Sequence, residues 1–179
     1  MADLISIAAA RERVLAAVAP LPAEEVAVAG ALGRVLAEDL ASDLGVPPFD
    51  SSAMDGFAVI AGPGAELSVV GEARAGHPAS EPLRAGAAIA ISTGAAVPEG
   101  ATAVIPIERA EPGRDTVRVP ASEPGANIRR SGEDVAPGDV VLRAGTPLSP
   151  AALGVAASIG RASVRCARRP RVALLMTGD

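Results

Sequence analysis

The chain places two carboxylates, Asp50 and Asp55, in one segment, residues 46–59, which reads V-P-P-F-D-S-S-A-M-D-G-F-A-V. Both phenylalanines of the chain, Phe49 and Phe57, lie in this segment, together with two prolines. Loops held on a rigid scaffold are the usual positions of binding and catalytic groups. Paired acids, rigid prolines and packing aromatics therefore mark residues 49–56, named loop A, as a candidate functional loop.

Two later segments combine glycine with hydroxyl or charged side chains in the same way. Loop B, residues 91–100, reads I-S-T-G-A-A-V-P-E-G, and loop C, residues 127–134, reads N-I-R-R-S-G-E-D. In loop B, Ser92, Thr93 and Gly94 could present a hydroxyl and successive backbone N–H groups to an anion, in the manner of an anion-binding nest. Taken alone, the Thr93–Gly94 pair is better explained by a structural turn.

The charged residues of loops A and C suit an anionic substrate that is neutralised by a metal. Mg²⁺ usually recruits one or two carboxylates together with substrate phosphate oxygens, and Asp55, Glu133 and Asp134 are candidates. Arg129 and Arg130 could bind phosphate or carboxylate. Each feature also has a structural explanation: an Asp-Gly pair is commonly a turn, and the charges of loop C could form a self-compensating surface cluster. Only the combination favours a site.

Composition excludes several classes of function. The 179 residues carry a net charge of -5 and 1% aromatic residues, unlike a nucleic-acid-binding surface. The basic residues are all arginine, which excludes lysine chemistry within this segment. Cys166 and His77 are each the single residue of their type, so neither a disulfide nor a Cys/His zinc site can form within the chain. We find no signal peptide and no unbroken apolar span of about 20 residues, and we expect a cytoplasmic protein without membrane contact.

Hydrophobic periodicity predicts an α+β fold that is mostly β. Helices are expected at residues 7–19, capped by Ser6, and at residues 150–159, capped by Ser149. Short apolar runs between turn residues predict the strands. They are residues 57–60, 67–74, 87–92, 103–107, 116–119, 140–142 and 162–166, with extended pieces at 24–28 and 34–40 and a helical turn at 29–33.

The order of these elements predicts a discontinuous domain with an insertion. Residues 1–46 and 136–170 form a helix-containing domain, expected to mediate dimerisation, and residues 47–135 form an inserted β-rich domain. Residues 172–176, V-A-L-L-M, are typical of a buried parallel strand. Residues 171–179 are therefore expected to begin an α/β domain that is cut off, which makes the chain an N-terminal fragment.

Four motifs in collinear order resemble the molybdopterin molybdenumtransferase (MoeA) family, to which the E domain of gephyrin also belongs. They are P-P-F-D-S-S-A-M-D-G-F-A-V, S-T-G-A-A-V-P-E-G-A-T-A-V-I-P-I-E, N-I-R-R-S-G-E-D-V-A-P-G-D and R-V-A-L-L-M-T-G-D. The resemblance implies a homodimeric enzyme that uses Mg²⁺ to insert molybdate into adenylyl-molybdopterin and releases AMP. It implies a cleft between the inserted domain of one subunit and the α/β pterin-binding domain of the other. A molybdopterin-adenylylating protein is the implied pathway partner.

The resemblance also assigns roles to particular residues. Asp55, Thr93 and Asp134 are the implied catalytic residues, and Asp55 and Asp134 the implied metal ligands. Weaker candidates for binding the pterin substrate are Ser52, Gly94, Arg130 and Asp179. The family usually has tyrosine at the position of Phe57, so Phe57 is expected to be structural. With Pro47, Pro48 and Phe49 it is expected to act as a hinge and packing anchor, and Asp50 is also expected to be structural.

Two alternatives stay open. The first is an interaction scaffold of the gephyrin E type, although the retention of Asp55, Thr93 and Asp134 favours the enzyme. The second is a degenerate module that truly ends at Asp179, against which the unpartnered strand at residues 172–176 argues. The chain alone is expected to be inactive, because the family places most of the pterin site beyond the T-G-D motif.

Overall fold

The structure, a computed structural model, describes residues 5–174 and 176. Two short 3₁₀ turns, Val28–Gly30 and Ile107–Arg109, accompany the regular elements. The helices and strands in chain order are α1 (Ile7–Ala16), β1 (Ala23–Ala27), β2 (Leu40–Ala41), β3 (Ser51–Ser52), β4 (Gly56–Val59), β5 (Ala65–Ala73), β6 (Ala87–Ile91), β7 (Ala103–Pro106), β8 (Glu111–Pro112), β9 (Thr116–Val119), β10 (Ile128–Arg129), β11 (Val140–Leu142), α2 (Pro150–Ser158) and β12 (Ser163–Ala167). The prediction of an α+β, mostly β fold is confirmed.

The chain divides into two compact units. Residues up to Ala41 and from Val140 onward form the first unit, and Ser42–Asp139 form the second. The predicted inserted domain, residues 47–135, lies within the second unit. All three candidate loops belong to that unit as well.

A six-stranded sheet forms the body of the second unit, in the order β7-β4-β6-β5-β9-β8. Its neighbouring strands are antiparallel except for β5 and β6, which are parallel. Side chains of β4 alternate between two apolar clusters: Phe57 and Val59 belong to one, and Ala58 to the other. Both faces of β4 are thus covered, which explains why it is apolar without interruption. Phe57 is 7% exposed, and its predicted structural role is confirmed.

The first unit pairs β1 with β12 and β2 with β11, both antiparallel. Helix α2 begins after Ser149, whose Oγ accepts a hydrogen bond from the Ala152 N–H at 3.2 Å. It buries Ala152 and Ala156. Cys166 is fully buried, as predicted for a small apolar residue.

Helix α1 begins where the sequence predicts, with Ser6 Oγ accepting from the Ala9 N–H at 3.1 Å. It ends at Ala16 rather than at residue 19, before the two prolines that were expected to stop it. Its apolar face is exposed rather than buried: Ile7 is 89%, Val14 63% and Leu15 58% exposed.

The structure differs from the sequence predictions at three places, while the truncated α/β domain predicted at residues 171–179 stays a prediction. Residues 172–174 and 176 form no strand and are exposed, with Leu174 91% and Met176 98% accessible, because no strand of the described residues pairs with them. Residue 175 and the chain after Met176 lie outside the described residues. Phe49 is 47% exposed and so does not anchor the packing as Phe57 does. Strands β3, β8 and β10 were not predicted, because two residues are too few to show periodicity.

Within the described residues, the helices are too short or too polar to cross a membrane.

Candidate functional site

Loops A, B and C meet at strand β3. Ser52 of loop A pairs with Ile128 of loop C through the antiparallel contact of β3 with β10. On its other side, the Ser52 N–H donates to the Ala95 carbonyl at 3.0 Å, and the Gly94 N–H donates to the Ser52 carbonyl at 2.8 Å. Loop A therefore lies between the other two, and the three segments selected from the sequence form one surface.

The register of the six-stranded sheet brings Asp55 to Thr93. Gly56, the first residue of β4, pairs with Ile91, the last residue of β6. Asp55 directly precedes the one strand and Thr93 closely follows the other. Asp55 Oδ1 accepts hydrogen bonds from the Thr93 N–H at 2.6 Å and from Thr93 Oγ1 at 2.9 Å. Antiparallel pairing thus places the two predicted catalytic side chains in direct contact.

Both of these hydrogen bonds stabilise the charged form of the carboxylate. The backbone N–H of Thr93, followed by its hydroxyl, lowers the pKa of Asp55 below its ordinary value. Asp55 is exposed, so burial opposes this effect only weakly. Among the described residues no donor contacts Asp55 Oδ2. The site therefore holds an ionised carboxylate that is fixed through one oxygen and presents the other.

For loop B the structure shows the structural turn and not the anion-binding nest that was considered beside it. The Thr93 N–H donates to Asp55, the Gly94 N–H to the Ser52 carbonyl, and the Ala95 N–H to the Ser92 carbonyl at 3.0 Å. These amides hold loop B to loop A and shape its turn, so they are not available to an oxyanion. Gly94 has φ 78°, a conformation that favours glycine, and its observed contribution is to this turn.

Ser52 closes the turn of loop A. Its side chain is 1% exposed, and Oγ donates to the Met54 carbonyl at 2.5 Å and accepts from the Met54 N–H at 3.3 Å. Serine hydroxyls commonly stabilise turns in this way. The structure therefore gives this predicted substrate-binding residue a contact within its own loop.

The charged residues of loop C form ion pairs. Arg129 Nη2 lies 2.5 Å from Asp134 Oδ2, and this contact raises the pKa of Arg129. Arg130 Nη1 lies 2.6 Å from Asp50 Oδ2, and the Arg130 N–H donates to Glu133 Oε2 at 2.9 Å. The self-compensating arrangement considered from the sequence is thus present in part, except that Arg130 is compensated by an acid of loop A.

Asp50 makes contacts on this surface that the sequence did not predict. Its Oδ1 accepts from the Ser131 N–H at 2.9 Å, in addition to the Arg130 contact on Oδ2. The Ser131 bond, followed by the Arg130 bond, lowers the pKa of Asp50. The sequence offered one indication of this ion pair, namely an acid in loop A, Asp50, and an arginine in loop C, Arg130, whose partners it did not identify.

Two carboxylates of this surface fit a hard cation in part. Asp55 Oδ2 and Asp134 Oδ1 contact no donor among the described residues, and one or two carboxylates suffice for Mg²⁺ when a substrate supplies phosphate oxygens. The guanidinium of Arg129 competes with a cation at Asp134, so Asp55 fits better. In the part of the chain that the structure describes, no three residues of the types His, Cys, Asp and Glu are grouped closely enough to hold a metal by themselves. Asp179 lies outside the described residues.

Comparisons with known proteins agree on one family. Residues 5–160 match the family model described as MoeA N-terminal region (domain I and II). A molybdopterin molybdenumtransferase of Haemophilus influenzae is 43% identical over 166 residues, which cover 89% of this chain and 41% of that protein. One from Staphylococcus aureus is 35% identical over 185 residues, covering 98% of this chain and 44% of the relative.

Solved structures give the same result. A molybdopterin biosynthesis MoeA protein from Pyrococcus horikoshii superposes with a TM-score of 0.77 and 39% identity, over 81% of this chain and 41% of that one. A second structure of MoeA from this organism gives a TM-score of 0.82 and 30% identity, over 94% and 45%. The chain thus spans less than half the length of the proteins it matches.

Proposed function

Because the chain belongs to the MoeA N-terminal region family, we propose that it forms part of a transferase of molybdenum cofactor biosynthesis. The proposed reaction inserts molybdate into adenylyl-molybdopterin and releases AMP. Two relatives that support this proposal are named molybdopterin molybdenumtransferase. The surface formed by loops A, B and C would be this chain's contribution to the active site.

The observation that carries the proposal is the contact between Asp55 and Thr93. Thr93 holds the carboxylate ionised through Oδ1, and Oδ2 faces no donor among the described residues. Molybdate and the phosphates of the pterin substrate are anions, which a bare carboxylate would repel. An ionised carboxylate in such a place is best explained as a ligand of a cation that the anions also contact.

Mg²⁺ is the proposed cation, and when bound it would polarise the phosphoanhydride and offset the charge of both anions. Asp55 would hold it through Oδ2, and Asp134 through the oxygen that Arg129 does not occupy. Thr93 would act by orienting Asp55, since its N–H and its hydroxyl proton are both directed to Oδ1. The anions themselves would be bound by groups other than the amides of loop B.

The proposed enzyme would need components that this chain does not contain. The relatives are more than twice as long, so we expect the chain alone to be inactive. The exposed apolar residues of α1 support the proposed homodimer, since large apolar side chains in contiguous exposed positions mark association surfaces. The molybdopterin-adenylylating partner is proposed on family resemblance alone. The contact of Asp55 with Thr93 favours the transferase over the gephyrin E type of scaffold, because a scaffold has no need of an ionised carboxylate with an available oxygen.

The test is Asp55→Asn in the full-length protein, with Asp115→Asn as its matched control. Asp115 is an exposed aspartate between β8 and β9 of the same unit, so the control removes the same charge elsewhere. We expect AMP release from adenylyl-molybdopterin and molybdate to fall by about a hundredfold or more in Asp55→Asn. The control should keep the wild-type rate. An unchanged rate in Asp55→Asn refutes the role of Asp55, and AMP release by the 179-residue chain alone refutes its expected inactivity.

A further inference from the structure

Asp50 contacts both of the loops that flank loop A. Its backbone carbonyl accepts from the Val97 N–H of loop B at 2.9 Å. Its carboxylate accepts from Ser131 N–H at 2.9 Å and from Arg130 Nη1 at 2.6 Å, both in loop C. One residue thus supplies three acceptors to two neighbouring loops.

The contacts to loop C act on a turn that is attached to its surroundings at both ends and bonded within loop C through Glu133. Before Arg130, strand β10 pairs with β3. After Ser131, the Gly132 N–H donates to the Pro47 carbonyl at 2.9 Å, and the Asp134 N–H donates to the Val46 carbonyl at 2.9 Å. The turn at residues 130–131 lies between these two attachments, and the Asp50 carboxylate fixes it there.

Arg130 is fixed at its backbone and at its side chain by this arrangement. Its own N–H donates to Glu133 Oε2, the N–H of the next residue donates to Asp50 Oδ1, and its guanidinium donates to Asp50 Oδ2. The Arg130 side chain is 59% exposed, and an arginine at such a position ordinarily samples many rotamers. A half-exposed ion pair adds little stability. The effect of Asp50 is therefore on geometry more than on folding.

We propose that Asp50 is a positioning residue that acts through Arg130. It holds the guanidinium and the turn of loop C in one orientation beside loop A, which also carries Asp55. The consequence for catalysis rests on the proposed transferase function. The positioning itself does not, because it is a property of the 179-residue chain.

The first experiment measures positioning alone. Amide hydrogen exchange is recorded by NMR on the 179-residue chain for wild type, Asp50→Ala, Asp50→Asn and the control Asp115→Asn. We expect the Ser131 amide to exchange about tenfold faster in Asp50→Ala, because it loses its acceptor. Asp50→Asn keeps an acceptor oxygen and should show a smaller increase. The control, and the amides of the six-stranded sheet in every variant, should be unchanged. Wild-type exchange at Ser131 in Asp50→Ala overturns the proposal.

The second experiment measures the consequence in the full-length protein, through AMP release. Asp50→Ala and Arg130→Ala should each lower kcat/KM by about tenfold. Because the two residues act as one unit, kcat/KM of the double variant should lie within about threefold of that of the less active single variant. A merely structural role of Asp50 would instead lower the active fraction and multiply with the Arg130 effect. Multiplicative losses, or wild-type kcat/KM in Asp50→Ala, overturn the proposal. If wild type releases no AMP, the proposed function fails while the exchange experiment still decides the positioning.

Discussion

Gly56 determines how loop A joins the sheet, and Gly56→Ala tests that attachment. Gly56 is buried at the start of β4, between β6 and β7. A Cβ at this position would lie 1.9 Å from the carbonyl oxygen of Ile105 and 2.9 Å from its carbon. Both atoms belong to the backbone of β7, so no side-chain rotation relieves the clash. The two strands must separate at this point.

The loss of stability expected for Gly56→Ala depends on the clash being with backbone atoms of β7. Overpacking a core typically costs about 1–3 kcal/mol, and the larger values apply when the backbone has to move. We therefore expect a loss of about 3 kcal/mol in the free energy of unfolding. For chains of this size, each kcal/mol lowers Tm by about 2–4 °C, so the expected decrease is about 6–12 °C. Asp55 should be displaced as well, because its carbonyl accepts from the Ile107 N–H just beyond β7, at 2.9 Å.

Differential scanning calorimetry is the suitable assay, since the chain has no tryptophan or tyrosine to report unfolding by fluorescence. Gly71→Ala is the matched control. Gly71 lies in β5 of the same sheet, and a Cβ there would meet nothing within 4 Å. Its Tm should stay within about 2 °C of wild type, or rise slightly because the unfolded chain loses freedom. If Gly56→Ala melts at the temperature of this control, the steric argument is refuted.

Two further predictions concern the pKa of Asp55 and the surface of α1. Thr93→Val removes one donor to Asp55 and keeps the backbone N–H, so the pKa of Asp55 should rise but stay below the ordinary value of 3.8. Because the folded-state pKa is depressed, the stabilisation by this carboxylate is present above about pH 4 and is lost as the pH falls through the folded value. Carboxyl-carbon NMR titration measures the change, with Thr102→Val as control, and an unmoved titration midpoint contradicts the assigned hydrogen bond. If the full-length protein forms the proposed homodimer through α1, Leu15→Glu should shift it to monomer in analytical ultracentrifugation. Arg13→Glu, a charge change on the same helix, should leave the association unchanged, and a dimer in both variants removes α1 from the interface.

The elements of this fold were predictable where apolar runs were bounded by turn residues. The strand at residues 116–119 was predicted with its observed bounds, and the strand at residues 103–107 differs from β7 only at its end. Helix α2 carried three signals, the Ser149 cap, Pro150 and Gly160, and differs by one residue. Burial was harder to predict, because periodicity identifies an apolar face without identifying what covers it. Helix α1 illustrates this, because its large apolar side chains are exposed in the structure.

Contacts between the loops could be predicted only in part. The loops were selected by composition, but their adjacency depends on the two-residue pairing of β3 with β10, which leaves no periodic signal. The contact of Asp50 with Arg130 joins residues separated by 80 positions. The anion-binding nest failed for a related reason. A sequence shows that N–H groups are present, but it does not show that Asp55, Ser52 and Ser92 accept from them.

The division of hydrogen bonds on this surface explains how exposed side chains can be held in fixed positions. At three places loop A supplies the acceptor: Asp55 Oδ1 for Thr93, the Ser52 carbonyl for Gly94, and Asp50 for loop C. Most of the donors to these acceptors are backbone N–H groups, which lose less conformational freedom on bonding than long side chains do. A carboxylate fixed through a single oxygen by such donors keeps its second oxygen in a defined direction without being buried. This arrangement fixes the orientation of Asp55 while leaving its second oxygen accessible, which is what the proposed role of Asp55 as a ligand requires.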